Sequence, residues 1–246
     1  MSIILARRGV LAAIPLGGAL AAAGATSARA DTTDLVLNCD TALSGAMAAV
    51  TAGFTAKTGV RIRIFPTAPG LLLPQLERQI QNDLIVSRTD IVEQAARQGL
   101  LQPGSQVGVW LNRLVLIGVP GSNEAALKGR VAAVDPTAGS GFDGSAILAR
   151  LQSQPAKIIG CIDEDDVLGA LRRGEADAGL VYLTAARANP SMTILARPAD
   201  DVAPPARLSA AATILARHAS PSAFTAFLAD PGSVNLLRAA GLELAA

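Results

Sequence analysis

DLVLNCDTALSGAMAAVTAGFTAKTGVRIRI, residues 34–64, carries a strand, a helix and a second strand in one uninterrupted run. Asp34 to Asn38 opens it with a short apolar strand. Leu43, Met47, Val50 and Phe54 then recur at spacings of four, three and four, one face of an amphipathic helix, and Gly59 supplies the glycine that ends it. Val60, Ile62 and Ile64 alternate with Arg61 and Arg63 as a half-exposed strand. Downstream, Leu72, Leu73, Leu76 and Ile80 predict a second helix facing inward, and Asp83 to Ser87 a third strand. Asp90 with Glu93 three residues later reads as a capping box for a helix that stops at Gly99. The order is βαβαβα.

The same alternation resumes further on. Val107 to Val119 reads as one long strand, and Pro120-Gly121-Ser122 breaks it. Strands follow at Val131 to Val134, Ile158 to Cys161 and Ala178 to Tyr182, with helices at Asp143 to Leu151 and Asp166 to Arg173. Pro198 to Pro205 precedes another apolar strand, Leu208 to Leu215. Ser220 then caps a helix with Pro221 at its first position, and Gly232 to Ala240 gives the last helix. Such alternation implies mostly parallel sheets covered by helices. The expected architecture is α/β with two lobes, residues 31–119 plus 205–246 forming the first and 120–204 inserted as the second. Two long strands would cross between them.

Residues 1–30 read as a cleavable secretory signal: a basic start ending in Arg7 and Arg8, an apolar stretch from Gly9 to about Ala25, and Ala28-Arg29-Ala30 before Asp31. The apolar stretch is short for a bilayer span and holds Pro15, Gly17 and Gly18. The arginine pair also suits a twin-arginine signal. Cleavage removes three arginines and no acid, so 21 basic residues become 18 against 20 acidic ones. No basic stripe is present, which argues against nucleic acid as a partner. Catalysis has little support, since the only histidine, His218, sits beside the Ser220 cap and no serine elbow or metal-ligand cluster appears. Gly139-Ser140-Gly141 lies between a strand end and a helix start, where backbone N–H groups and the helix dipole can hold an anion.

Leu43 to Met47, Gly70, Leu72, Gln75, Asp83 to Ser87 and Asp135-Pro136 stand in the order and spacing of a known family. Asp166 to Leu171, Ala178 to Tyr182, Phe227-Leu228, Pro231 and Gly241-Leu242 continue the match. In these the chain resembles the periplasmic molybdate-binding proteins of ABC importers, within the two-lobed solute-binding proteins. The resemblance implies a small oxyanion of the molybdate or tungstate kind held between the lobes by neutral donors, no cofactor, a monomer, a permease partner in the cytoplasmic membrane and a periplasmic location. By position the donors would be Thr41, Ala42, Thr67 and Ala68 from the first lobe, and Ser140, Gly141, Val167 and the hydroxyl of Tyr182 from the second.

The family's first-lobe sites carry serine, whereas this chain has Ala42 and Ala68, each preceded by a threonine. Each hydrogen bond lost to a charged group costs about 1.5–3 kcal/mol. Two such losses amount to roughly two to four decades of affinity. Cys39 and Asp40 in the first loop therefore leave open a metal ion or small organic ligand, and a periplasmic sensor built on the same lobes is the rival role. A disulfide from Cys39 to Cys161 is not expected, because it would tie the lobes together.

Overall fold

The computed structural model describes residues 34–216 and 220–245, so the signal at residues 1–30 and His218 lie outside the described residues. Two mixed sheets, each flanked by helices, make an α/β fold of two lobes.

The first sheet takes β1 (Leu35–Asp40), β2 (Ile62–Thr67), β3 (Leu84–Arg88), β4 (Val107–Asn112), β10 (Ala206–Ala212) and β11 (Leu242–Leu244). Their order is β11-β4-β10-β3-β1-β2. Only β2, β1 and β3 run parallel; β10, β4 and β11 are antiparallel to their neighbours. Helices α1 (Ser44–Thr58), α2 (Pro69–Glu77), α3 (Thr89–Arg97), α7 (Ser220–Leu228) and α8 (Pro231–Ala239) cover this sheet. The second sheet takes β5 (Leu114–Gly118), β6 (Arg130–Val134), β7 (Lys157–Cys161), β8 (Ala178–Tyr182) and β9 (Thr193–Ala196), in the order β7-β6-β8-β5-β9. Its helices are α4 (Gly144–Arg150), α5 (Glu164–Arg172) and α6 (Leu183–Ala188).

The periodic face of α1 does what its spacing predicts: Met47, Val50 and Phe54 are buried, and Gly59 ends the helix at φ 76°. Phe54 meets Phe224 and Phe227 edge-on, with centroids 5.2 and 5.4 Å apart, which closes the first-lobe core. The second core is built on β5, β6 and β8.

Three local readings change. Val107 to Val119 is two strands in different sheets, so the chain changes sheet at Arg113 and returns with Ala206. Both pieces are apolar because each lies in a sheet covered by helices, and periodicity gives no sign of the break. At that break Asn112 Nδ2 donates to Thr184 Oγ1 across the lobes at 2.8 Å, and Arg113 pairs with Asp200 and Glu243. Asp90 and Glu93 form no capping box; Asp90 pairs with Arg88, and Glu93 sits 4.0 Å from Arg97 one turn on. Ile80 is 48% exposed because α2 ends at Glu77.

Candidate functional site

The C-terminal ends of parallel strands are where open α/β sheets place ligands. In β1 the alternation of side chains sends Leu37 and Cys39 into the first-lobe core and Asp40 to the opposite face. Cys39 is fully buried, and burial, with the charge of Asp40 second, pushes its thiol well above the ordinary range. That orientation removes Cys39 as a ligand to a bound metal. Among the described residues no group of three or more His, Cys, Asp or Glu could hold a metal ion, and both cysteines are free. Asp40 is 5% exposed, and its Oδ1 accepts from Ser87 Oγ at 2.6 Å. Burial raises its carboxyl to about 6, against the pull of the Ser87 hydroxyl and the Arg88 charge.

The second lobe contributes a turn of two left-handed glycines, Gly139 (φ 80°) and Gly141 (φ 82°), after β6. Ser140 between them is buried; its hydroxyl donates to the Phe142 carbonyl at 3.1 Å, and its own carbonyl accepts from the Tyr182 hydroxyl at 3.2 Å. The Phe142 ring stands edge-on to Tyr182 at 5.5 Å.

Arg88, at the end of β3, crosses from the first lobe to this turn. Its Nη1 donates to the Gly139 carbonyl at 2.7 Å, while Nε and Nη2 grip the two oxygens of Asp90. A Cβ at Gly141 would lie 2.3 Å from the guanidinium, so the close approach needs glycine. A second backbone contact joins the lobes at Gly70, where a Cβ would sit 2.6 Å from the Ala138 carbonyl oxygen. Behind these contacts a cavity of about 450 Å³ is lined by Arg88, Thr89, Asp90, Phe142, Tyr182 and Arg207, among others.

The eight positions named from sequence distribute unevenly around this cleft. Gly141 and Tyr182 line the cavity, and Ser140 is bonded to Tyr182. Thr41 and Ala42 lie in a buried 3-10 turn, Thr41–Leu43, with Ala42 packed into the second-lobe core. Ala68 starts α2, its carbonyl accepting from the Leu71 N–H at 2.8 Å. Thr67 faces a separate first-lobe hollow with Asn38 and Gln75. Val167 offers no free donor, since its N–H is spent on the Asp163 carbonyl at 3.2 Å and its side chain is fully buried.

Three residues before Val167, Glu164 is a buried acid. It is the first residue of α5, 1% exposed, and neither carboxylate oxygen has a hydrogen-bond partner on another residue. Burial first, against the pull of its own backbone N–H, and then the charges of Asp40, Asp163 and Asp165 push its carboxyl up to about 8. Sequence reasoning missed Arg88 and Arg207, the two cations lining the cavity, and did not single out the buried acid Glu164. Arg88 had one available signal, a cation at a strand end; Glu164 was hidden in an acidic run that reads as a helix start. Asp163 is the true cap, accepting from the Asp166 N–H at 2.9 Å. Asp163→Ala is expected to lower stability by about 1 kcal/mol, read as a lower urea midpoint at unchanged slope.

Residues 35–243 match the family model described as bacterial extracellular solute-binding protein. The chain belongs to that family. Solved structures of the same fold include the periplasmic molybdate-binding protein of Azotobacter vinelandii, 22% identical, with a TM-score of 0.75 over 87% of this chain and 100% of that one. The sulfate-binding protein SubI of Mycobacterium tuberculosis is 13% identical, with a TM-score of 0.67 over 86% and 87%. Iron-bound HitA of Pseudomonas aeruginosa is 17% identical, with a TM-score of 0.57 over 83% of each chain. No curated protein matches the sequence. This solute-binding protein therefore has the two-lobed fold that the resemblance implied.

Proposed function

We propose that this chain is the periplasmic binding component of an ABC importer, acting as a monomer and capturing a small oxyanion of the class that includes molybdate and tungstate. The observation that carries the reading is the Arg88 guanidinium, held across the cleft against the Gly139–Gly141 turn and facing a cavity that also contains Tyr182 and Arg207. A planar guanidinium suits oxyanions because its forked N–H groups match their oxygens. Asp90 and the Gly139 carbonyl use three of its five N–H groups and fix its plane, leaving two for a ligand. Two of the structural neighbours are named for binding molybdate and sulfate, which supports an oxyanion here as well. The metal-ion alternative loses its thiol, since Cys39 faces the core. Delivery would be to a membrane permease, after export by the signal at residues 1–30.

Calorimetric titration with molybdate, tungstate, sulfate and phosphate at pH 6 tests the reading. Binding of at least one is expected, and at a hundredfold excess over Kd it should stabilise the fold by about 2.7 kcal/mol. For a domain of this size that corresponds to a rise in Tm of roughly 5–10 °C. No heat and no shift with all four would sink the proposal.

A further inference from the structure

We infer that the oxyanion enters this cleft as the head group of a small polyol phosphate, its phosphoryl oxygens bound by Arg207 and Arg88 and its hydroxyls by Glu93 and Asp90. The inference rests on the reading of this cleft as an oxyanion site and adds the organic body that the oxyanion carries.

The charges lining the cavity are not equivalent. Arg88 is neutralised by Asp90, and Glu93 stands 4.0 Å from Arg97. Arg207 makes no hydrogen bond or ion pair among the described residues, so its charge is unspent. It precedes Leu208, which pairs with Arg88 in the β10–β3 register, so the two guanidiniums spring from adjoining strand positions. With the two N–H groups left on Arg88, this pair suits a dianionic head. A phosphate monoester keeps that charge and three acceptor oxygens, whereas a sulfate monoester keeps a single charge.

The two acids of the lining work against a bare anion. Ionised Asp90 and Glu93 are acceptors only, and molybdate, tungstate and sulfate have no proton to offer them at neutral pH. The hydroxyls of a polyol do, and they carry no charge for the acids to repel.

Size and wall chemistry lead the same way. The cavity holds about 450 Å³, within the range of roughly 300–1,000 Å³ for sites that take organic molecules. A four-oxygen anion, at about 30 Å³ for each water-sized oxygen, would fill roughly a quarter of it. Phe142, edge-on to Tyr182, and the rigid rings of Pro204 and Pro205 face the remainder. A bare dianion gains nothing by losing water against such a wall, while the C–H faces of a polyol gain by it.

The test is calorimetric titration at pH 7.5 of wild type, Arg207→Gln and Glu93→Ala. The probes are the four inorganic oxyanions, glycerol 3-phosphate and sorbitol 6-phosphate. Arg207 and Glu93 are both exposed, so the variants should fold, which thermal unfolding of each ligand-free protein checks. At least one ester should bind wild type at least tenfold more tightly than inorganic phosphate does. Arg207→Gln should weaken that ester at least tenfold. Glu93→Ala should weaken it at least threefold yet tighten inorganic phosphate, because the ester loses an acceptor for its hydroxyl and phosphate loses a like charge. Esters no tighter than phosphate, or an ester that Arg207→Gln or Glu93→Ala fails to weaken, overturn the inference; binding of any inorganic oxyanion then leaves the oxyanion reading standing. Binding of an ester alone upholds the inference and overturns the bare oxyanion as ligand. Failure of all six to bind wild type overturns both.

Discussion

Gly70→Leu is expected to weaken oxyanion binding by about a hundredfold while leaving the ligand-free protein as stable as wild type or slightly more so. Gly70 is the second residue of α2, and a Cβ built there comes within 2.6 Å of the Ala138 carbonyl oxygen and 3.1 Å of its carbon, both on the opposite lobe. These are backbone atoms, so no side chain can swing aside, and the lobes themselves must separate. Overpacking a close contact costs about 1–3 kcal/mol, and a leucine adds three carbons beyond the Cβ, which places the expected cost at the upper end. Each 1.4 kcal/mol is tenfold in Kd, hence the hundredfold estimate. The same contact holds Arg88 to the Gly139 carbonyl, so separation also displaces the guanidinium. Replacing glycine in the first turn of a helix removes a conformational penalty, which is why stability should not suffer. Calorimetric affinity beside a thermal unfolding curve checks both halves. Wild-type affinity in the variant would show that the contact between Gly70 and Ala138 has no part in the bound state.

Sequence made the elements legible where one face of an element meets one core. The Leu43-to-Phe54 series, the Gly59 stop and the strand Ala178–Tyr182 all stand where their patterns predict. Where a chain segment serves two cores the pattern fails: Val107 to Val119 is apolar throughout, yet Arg113 divides it between sheets. The site was legible only in part, for a related reason. The resemblance offered Val167 as a donor by position, beside a helix read as starting at Asp166. The helix in fact begins at Glu164, and those two residues move Val167 into the hydrogen-bonded ladder. The same shift brings Glu164 to the helix mouth. Arg88 acquires meaning only when the end of β3 meets the Gly139–Gly141 turn across the cleft, a juxtaposition of distant segments that no local spacing encodes.

Glu164→Gln is expected to stabilise the protein, by an amount that grows with pH. The carboxyl rises from 4.5 to about 8 in the fold, chiefly through burial and secondarily through the charge of Asp40. Between those values the folded chain keeps a proton that the unfolded chain has released. The stability attached to that proton is therefore fully present below about pH 4.5 and is lost as pH rises to about 8, after which the loss is complete. One proton corresponds to about 1.4 kcal/mol per pH unit, so the total is on the order of a few kcal/mol. Glutamine has no proton to lose and keeps the size of the side chain. Its buried amide also lacks a partner, at a cost of about 1–3 kcal/mol that does not vary with pH. The diagnostic is accordingly the widening of the gap between variant and wild type from pH 4.5 to pH 8, followed by a plateau, measured by urea unfolding at each pH. Asp40, raised to about 6, shifts both proteins in the same direction and cancels in the comparison. A gap that stays constant with pH would show that Glu164 does not keep its proton through burial in the folded protein.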